Sequence, residues 1–346
     1  MLVDSAIKTI VDRQYDIANG TINSLPLPKH KKYTICNLRG GIGKSTLSFN
    51  LTYLANKILA VDTCPQGNLS YFFDDNYFTS NVNVRDMILP YIVPGLGRAT
   101  RIAHRISATN HFFTNESFYV PSDEQLYLLP AQMTTAVNQT SGLPSPQREQ
   151  ALESILLSLK NEIDRELAEL ELETCLIDTS PFFSGATHLA WHATDALIVP
   201  VRTDQQSINS LNLIFKVLSD PASEFRRHLP SDFPTPKIQM VVLTHCGWST
   251  VRNARNIPNQ QTVIYLKMLK DLVSRNISHF TTDDPDNHIA LLDDFLGSGR
   301  ISSALSKPIQ LLEAGDTMRI NRVKVSVNDS VAKCKKQLEF ISNSIW

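Results

Sequence analysis

The amino-acid sequence predicts an α/β fold in which a doubly wound, mostly parallel sheet is flanked by helices. Short, nearly continuous apolar runs alternate along the chain with longer amphipathic segments, which is typical of buried parallel strands covered by helices. The chain has 346 residues, of which 42% are hydrophobic and 19% charged. This is enough apolar material for one large domain, and it argues against a disordered chain.

The apolar runs define the predicted strands, and the amphipathic segments between them define the predicted helices. Strands are predicted at 33–37, 58–62, 125–129, 174–178, 195–201 and 238–244. Helices are predicted at 44–55, at 147–170 as the longest, from near 207, and at 328–342. We expect residues 1–30 to form a helical extension and linker, whose apolar helix positions are Ile7, Ile10, Val11 and Tyr15. One domain over 31–346 should follow, with an insertion at about 70–146.

Composition excludes several classes of protein. No apolar run approaches the roughly 20 residues of a membrane-spanning helix, so we expect no membrane span. The five cysteines are scattered and form no C-x-x-C pair, which argues for a reducing, cytoplasmic location and against a disulfide scaffold or a structural zinc site. The net charge of −1 argues against a permanently basic nucleic-acid binder.

One glycine-rich loop carries the most specific chemical signal. The segment 36–46 reads Cys-Asn-Leu-Arg-Gly-Gly-Ile-Gly-Lys-Ser-Thr and lies between a predicted strand and a predicted helix, which is the context that a phosphate-binding loop requires. Glycines let backbone N–H groups turn inward around phosphates, and the helix N-terminus adds partial positive charge. The predicted nucleotide-binding residues are Gly40, Gly41, Ile42, Gly43, Lys44, Ser45 and Thr46. Lys44 would supply a full charge to the phosphates, and the Ser45 hydroxyl would bind Mg²⁺.

The loop departs from the usual pattern G-x-x-x-x-G-K-[ST], because Leu38 occupies the place of the first glycine. It matches the deviant form K-G-G-x-G-K-[ST], with Arg39 where that form has a lysine. Three more segments follow in order: V-D-T-C-P-Q-G-N at 61–68, C-L-I-D-T-S-P at 175–181 and I-V-P-V-R at 198–202. Together the four segments resemble the ParA/MinD family of deviant Walker A ATPases, with P-Q-G-N closest to the ParA partition branch.

The resemblance implies a role for each matched residue. Lys44 would hold the phosphates, Ser45 would ligate Mg²⁺, and Asp62 and Asp178 would hold the metal through water. Arg39 would cross a dimer interface to the partner's nucleotide, where its forked donors suit phosphate. We therefore expect Arg39, Lys44 and Asp62 to serve catalysis. Thr244, at the end of a predicted strand, lies where this fold would place the nucleotide base.

The second departure lies at Cys64. The family reads D-x-D-P-Q, and its second acid helps to position the attacking water; here Cys64 stands in that place, with the register fixed by Pro65 and Gln66. A thiol near its ordinary pKa is mostly neutral at pH 7 and is a poor base. We expect nucleotide binding and dimerisation to survive while hydrolysis is slow.

The resemblance also implies a function and partners. A ParA-like protein would dimerise on binding ATP and Mg²⁺, bind DNA without sequence preference, and meet a ParB-like adaptor in plasmid or chromosome partition. One alternative is a MinD-like ATPase that positions a membrane or protein cargo. The other is an ATP-binding scaffold or regulator with little hydrolysis.

Clusters of basic residues are candidates for DNA contact, although each could be an ordinary solvated face. One cluster contains Arg226, Arg227, Lys237, Arg252, Arg255, Lys267, Lys270 and Arg275. A second contains Arg319, Arg322, Lys324, Lys333, Lys335 and Lys336. A third, spaced as on one helix face, contains Arg98, Arg101 and Arg105.

Overall fold

A central, mostly parallel sheet with helices on both faces organises the chain, which confirms the predicted fold class. The computed structural model describes residues 4–183, 185–228, 233–249 and 257–346. Among them the sheet runs in the order β3-β4-β2-β5-β1-β6-β7-β8, and only its β3–β4 pair is antiparallel. The strands are β1 (Lys32–Ile35), β2 (Leu59–Asp62), β3 (His104–Arg105), β4 (Phe118–Val120), β5 (Cys175–Asp178), β6 (Ala196–Arg202), β7 (Lys237–Cys246) and β8 (Ile289–Asp293), followed by a separate hairpin of β9 (Thr317–Ile320) and β10 (Val323–Ser326).

The helices among the described residues follow the strands as expected of a doubly wound fold. They are α1 (Lys8–Asn19), α2 (Lys44–Leu54), α3 (Asn68–Phe73), α4 (Val84–Ile92), α5 (Leu129–Gln139), α6 (Ser145–Leu156), α7 (Ser158–Glu169), α8 (Gly185–His192), α9 (Gln205–Ser219), α10 (Gln260–Arg275), α11 (Leu296–Leu305) and α12 (Val331–Ile345). None of these helices is both long enough and apolar enough to cross a membrane.

The central strand β1 shows how the two faces are filled. Tyr33 and Ile35 belong to one buried apolar cluster together with residues of α2 and α12. Thr34 points to the other face, where its hydroxyl donates a hydrogen bond to the Ala190 carbonyl of α8 at 3.2 Å. Alternate residues of the strand therefore serve opposite faces, and helices cover both.

The first helix packs on the domain instead of standing apart from it. Ile7, Ile10 and Val11 are buried in the apolar cluster beneath α9 and α10. Tyr15, which the sequence places with them, is 54% exposed. The guanidinium of Arg13 is buried instead and donates to the carbonyls of Ile289 (3.1 Å) and Asp286 (2.6 Å). The helix contacts α12 and β8.

The predicted strand at 125–129 is wrong. Glu124–Leu128 is a 3₁₀ helix, and the strand of this region is β4, a few residues earlier. The side chain of Asp123 accepts the Gln125 N–H at 2.7 Å, as an N-cap does, and so starts a helical turn. The local cap therefore overrides the apolar alternation that suggested a strand.

The predicted single helix at 147–170 is two helices, α6 and α7, that meet at Leu157 (φ −93°, ψ 6°). The apolar stripe is continuous in sequence, but the two halves share only α4 as a neighbour and otherwise pack on different helices. Helix α6 contacts α4 and α5, whereas α7 contacts α4 and α8. The break at Leu157 lets each half turn its buried side towards its own neighbours.

The helix face predicted for Arg98, Arg101 and Arg105 is also wrong, because this stretch is irregular and leads into β3. The backbone N–H groups of residues 102 and 103 donate to the buried carboxylate of Glu166 at 3.1 Å, and so do not form helical hydrogen bonds. Arg101 and Arg105 each lie 5.5 Å from the ring centroid of Phe118. The arginines therefore cover an aromatic side chain at the margin of the sheet.

Candidate functional site

The glycine-rich loop joins β1 to α2 at the carboxyl ends of the parallel strands. Gly41 (φ 71°) and Gly43 (φ 87°) both adopt left-handed conformations, which glycine does at little cost. Gly43 immediately precedes the first turn of α2. Loop residues 40–46 line a cavity of about 290 Å³ together with Cys64, Gln66, Asn68, Tyr71, Phe72, Thr179, Pro181 and Ser303. A concave loop at a helix N-terminus is suited to an anion.

Lys44 lies beneath this loop and is 7% exposed. Its ammonium group donates to the carbonyls of Arg39 (2.8 Å) and Asn37 (3.1 Å). Burial lowers the pKa of Lys44, while the nearby Asp178 carboxylate opposes that change. Backbone carbonyls of the glycine-rich loop segment therefore fix the position of the Lys44 ammonium group.

Asp62 and Asp178 end the neighbouring strands β2 and β5, where they are paired in register. Asp178 accepts hydrogen bonds from the hydroxyls of Ser45 (2.6 Å) and Ser48 (2.8 Å), both of which belong to α2. Asp62 accepts hydrogen bonds from the Ser70 N–H and hydroxyl, both at 2.8 Å, and from the Cys64 N–H at 3.0 Å. The structure therefore brings together the three predicted metal ligands Ser45, Asp62 and Asp178.

Two buried carboxyl groups side by side disfavour ionisation of both. Burial, followed by the neighbouring Asp178, raises the pKa of Asp62 to about 7. Burial also raises the pKa of Asp178, although the hydroxyls of Ser45 and Ser48 and the charge of Lys44 act in the opposite direction. A hydroxyl and two carboxylates are hard oxygen donors of the kind that Mg²⁺ prefers, and its double charge would relieve the repulsion. The residues present therefore fit this ion.

Cys64 follows β2 and is 2% exposed. Burial, and next the charge of Asp62, raises the pKa of its thiol to about 12. The thiol is therefore protonated at neutral pH, and it lines the same cavity as the loop. No carboxylate occupies position 64 to take a proton from water.

Arg39 is held by its own chain. Its guanidinium is ion-paired with Asp204 and donates to the Ser207 hydroxyl at 2.8 Å. Asp204 is also the N-cap of α9, since its carboxylate accepts the Ser207 N–H at 2.9 Å. In this arrangement Arg39 is turned towards α9 of the same molecule.

A second, larger cavity of about 830 Å³ adjoins the other side of the loop. Thr244, at the end of β7, lines it, and the Thr244 hydroxyl lies 3.4 Å from the carbonyl of Ile42. The remaining walls come from the last residues of β7 and β8, from the segment after β8, from α11 and from the β9–β10 hairpin, and include His245, Asp293, Asp294, Phe295, Leu296, Arg300, Ile320, Asn321 and Val323. The predicted base-side residue thus shares a cavity with the loop.

Sequence reasoning missed the partners of Arg39 and several residues of the larger cavity. Asp204 and Ser207 lie far from Arg39 in the chain, and no local pattern connects them. The segment after β8 did carry a signal, because the apolar run at 289–292 is followed by two acids, Asp293 and Asp294, as a buried strand reaching the functional end of a sheet is. The hairpin carried one too, in its alternation of apolar and basic residues around a short turn.

Comparisons with known proteins identify a matching family and two similar proteins. Residues 30–230 match the AAA_31 family, described as an AAA domain. The sporulation initiation inhibitor protein Soj of Bacillus subtilis (strain 168) is 24% identical over 251 residues, which is 71% of this chain and 85% of that protein. The maintenance of carboxysome distribution protein A of Gloeothece citriformis (strain PCC 7424) is 25% identical over 189 residues, which is 52% of this chain and 60% of that protein.

Solved structures show the same fold at low identity. Apo McdA from Cyanothece has a TM-score of 0.55 and 17% identity, and the match covers 80% of this chain and 91% of that one. An aspartate-to-alanine variant of Cyanothece McdA in complex with ATP has a TM-score of 0.56 and 17% identity, over 90% of this chain and 95% of that one. The deviant loop, the paired carboxylates and the sheet order therefore occur on a fold shared with these proteins.

Proposed function

The chain belongs to the AAA_31 family of AAA domains, within the ParA/MinD group of P-loop ATPases, and we propose that it is an ATP-dependent dimerising switch that binds DNA without sequence preference in plasmid or chromosome partition. One observation supports this more than any other. The opposed carboxyls of Asp62 and Asp178 lie beside Lys44 and Ser45 beneath a glycine loop, which is the chemistry that a nucleoside triphosphate and Mg²⁺ require.

In this proposal Lys44 and the backbone of residues 40–46 hold the phosphates, and Ser45, Asp62 and Asp178 hold Mg²⁺. The ion would neutralise charge that develops on the phosphates. A structural relative in complex with ATP supports the choice of nucleotide. Thr244 and the second cavity would take the base.

We propose that hydrolysis is slow because the chain offers no carboxylate at position 64. The thiol of Cys64 is buried and protonated at neutral pH. A group of this pKa cannot serve as a general base near pH 7. ATP would therefore hold the switch in its bound state for a long time before it resets.

The surface around the smaller cavity supports dimerisation. Several large apolar side chains are exposed on segments that follow the carboxyl ends of strands. Tyr71 lines the smaller cavity and Phe182 follows its wall residue Pro181, Leu296 lines the larger cavity, and Phe78 and Tyr127 are exposed on the segments after β2 and β4. Apolar side chains in such an arrangement are suited to a protein partner. A second copy that meets this surface would bring its own Arg39 near the nucleotide, provided that Arg39 leaves Asp204.

The two alternatives differ in cargo and in turnover. A membrane-binding tail is disfavoured, because the apolar residues of α12, including Leu338, Ile341 and Ile345, are buried in the core. A protein cargo is supported by the name of the carboxysome-distribution relative. A scaffold with little hydrolysis is supported by Cys64. A ParB-like adaptor would accompany the partition function.

The experiment measures mass by light scattering, and retention of a random-sequence DNA duplex, with ATP–Mg²⁺, with ADP–Mg²⁺ and without nucleotide. We expect doubling of mass and DNA retention with ATP–Mg²⁺ alone, and neither in the Lys44→Ala variant. If ATP doubles the mass but fails to raise DNA affinity at low salt, the DNA part is wrong. If ATP neither binds nor changes the mass, the switch itself is wrong.

A further inference from the structure

The β9–β10 hairpin has two chemically different faces. In its antiparallel register Met318 pairs with Val325, and Ile320 with Val323. These apolar pairs share one face, because alternate residues of a strand point the same way. Met318 and Ile320 pack against the same core as Val325, and the hairpin contacts α11.

The opposite face is polar and positively charged. Arg319 pairs directly with Lys324, and Thr317 with Ser326. Arg319, Lys324 and the turn residue Arg322 are all exposed. Like charges placed opposite each other in a hairpin are unfavourable for folding. Such an arrangement is understandable if an anionic partner neutralises it.

The turn of the hairpin holds Arg322 in an unfavourable backbone conformation. Asn321 (φ 48°) and Arg322 (φ 68°) both adopt left-handed conformations, as two-residue hairpin turns require. Asparagine tolerates this well, and glycine is usual at the second position. An arginine there carries strain that glycine would remove, and it places a third positive charge at the tip.

The other predicted basic residues are engaged within the chain to a greater degree. Lys267 pairs with Asp4 at 2.5 Å and Lys270 with Asp286 at 2.6 Å. In the second cluster Lys333 pairs with Asp293 and Lys335 with Glu313, each at 3.0 Å. Arg252 and Arg255 lie outside the described residues.

The apolar face of the hairpin also reaches the nucleotide side of the molecule. Ile320, Asn321, Val323 and Val325 line the larger cavity, which Gly41–Gly43 of the loop line as well. A ligand in this cavity would contact the hairpin directly. The charged face is therefore the opposite side of the same two strands whose apolar side lines the cavity proposed for the base.

Resting on the proposed function, we propose that the outer face of the β9–β10 hairpin, formed by Arg319, Arg322 and Lys324, is the surface that binds the phosphate backbone of DNA. The inner face of the hairpin couples this binding to the nucleotide. Three exposed cations flanked by the hydroxyls of Thr317 and Ser326 suit phosphate oxygens. An anionic membrane is the less suitable partner, because Met318, Ile320 and Val325 of the apolar face pack against the protein core, which leaves Val323, 62% exposed, as the one side chain of that face available for insertion among lipids.

The test removes three charges while favouring the hairpin. In the triple variant Arg319→Thr, Arg322→Gly and Lys324→Thr, β-branched residues replace the strand cations and glycine relaxes the turn. The matched control removes three exposed cations elsewhere, with Lys31→Gln, Arg148→Gln and Lys216→Gln. Affinity for a random-sequence duplex is measured with ATP–Mg²⁺ at several salt concentrations, and affinity for a fluorescent ATP analogue is measured in parallel.

We expect the hairpin variant to lose at least tenfold in DNA affinity near 0.1 M salt, and the control to lose less than threefold. The slope of log affinity against log salt should fall by about 3 for each protomer, as expected for three lost phosphate contacts. DNA should tighten ATP-analogue binding in the wild type and not in the hairpin variant, because coupling between two ligands is reciprocal. ATP-analogue affinity without DNA should stay within about threefold.

Three outcomes would overturn the inference. If the wild type binds DNA with ATP and the hairpin variant binds it equally well, the proposed function survives and the hairpin assignment fails. If the wild type does not bind DNA under any nucleotide condition, the DNA function and the hairpin assignment fail together. If the wild type binds phosphatidylglycerol vesicles in preference to DNA and the hairpin variant loses that binding, the partner is a membrane.

Discussion

Arg39 is ion-paired with Asp204 of its own chain, so the residue predicted to act across a dimer interface is engaged inside the monomer. The pair is partly exposed, with 26% of the Arg39 side chain and 29% of the Asp204 side chain accessible. Pairs of this kind contribute about 0 to 1 kcal/mol. Such a contact is weak enough for a nucleotide phosphate to displace it.

Loss of this pair should favour the dimer. In Asp204→Ser the helix cap is retained while the negative charge is lost, so Arg39 is released without loss of the first turn of α9. We expect the ATP-dependent dimer to form at a severalfold lower protein concentration, as measured by light scattering or analytical ultracentrifugation. Arg39→Ala should weaken the dimer, and an unchanged dimer constant in Asp204→Ser would show that the pair does not compete.

Replacing the buried thiol should restore turnover. Cys64→Asp supplies a carboxylate where the resemblance expects one, and a positioned base contributes about 10² to 10⁴ in rate. We expect at least a tenfold gain in ATP turnover with Mg²⁺, measured by phosphate release. Cys64→Ser, which restores no carboxylate, should stay within about threefold of the wild type. A wild-type rate equal to that of Cys64→Asp would contradict the role given to Cys64.

The carboxyl pair should make the metal-free protein less stable as pH rises. The pKa of Asp62 is raised to about 7 in the folded chain and lies near 4 when unfolded, so between these values the folded state binds more protons. Stability therefore falls as pH increases from 4 to 7, and the loss is complete above about 7. Melting temperatures measured over this range without Mg²⁺ should show the decline, and Mg²⁺ should reduce it.

Asp178→Asn is the matched variant for this test. It removes the like charge beside Asp62, while an amide can still meet the hydroxyls of Ser45 and Ser48. The pH-dependent decline should become shallower, and the stabilisation by Mg²⁺ should be lost. An equally steep decline in this variant would mean that other groups cause it.

The first helix should contribute to stability through a buried cation. Arg13→Ala removes two charged hydrogen bonds to backbone carbonyls that remain buried, so we expect a loss of about 2 to 3 kcal/mol in the free energy of unfolding. Tyr15→Ala, on the exposed side of the same helix, should change it by no more than about 0.5 kcal/mol. Urea denaturation of both variants measures this, and equal effects would contradict the packing role of α1.

The parts of the fold that sequence predicts are those encoded locally. The runs that became β1, β2, β5, β6 and β7 are apolar because both faces of a parallel sheet are buried, and the glycine loop follows from residue type and order alone. The break at Leu157 and the irregular course of Arg98 to Arg105 depend on neighbours distant in sequence, so the local pattern is misleading there.

The candidate site likewise combines features that the local sequence predicts with features that depend on residues distant in sequence. Ser45, Asp62 and Asp178 come together because each lies at the carboxyl end of a strand or at the start of the following helix, and the topology brings such ends together. The partner of Arg39 could not be predicted, because Asp204 is 165 positions away and many acids were available. The raised pKa of Asp62 likewise arises from burial that only the packed chain creates.

The two margins of the sheet have a consequence for assembly. At one margin, strand β3 has only two residues. At the opposite margin, the Ile289 carbonyl of β8 accepts a hydrogen bond from Arg13 of α1, and the Asp293 N–H of β8 donates one to the side chain of Gln337 of α12. Within the part of the chain that the structure describes, neither margin offers a long row of free backbone groups for another strand to join. Pairing of an edge strand with a strand of another copy is therefore disfavoured at both margins, which protects the fold against growth into fibres by strand addition.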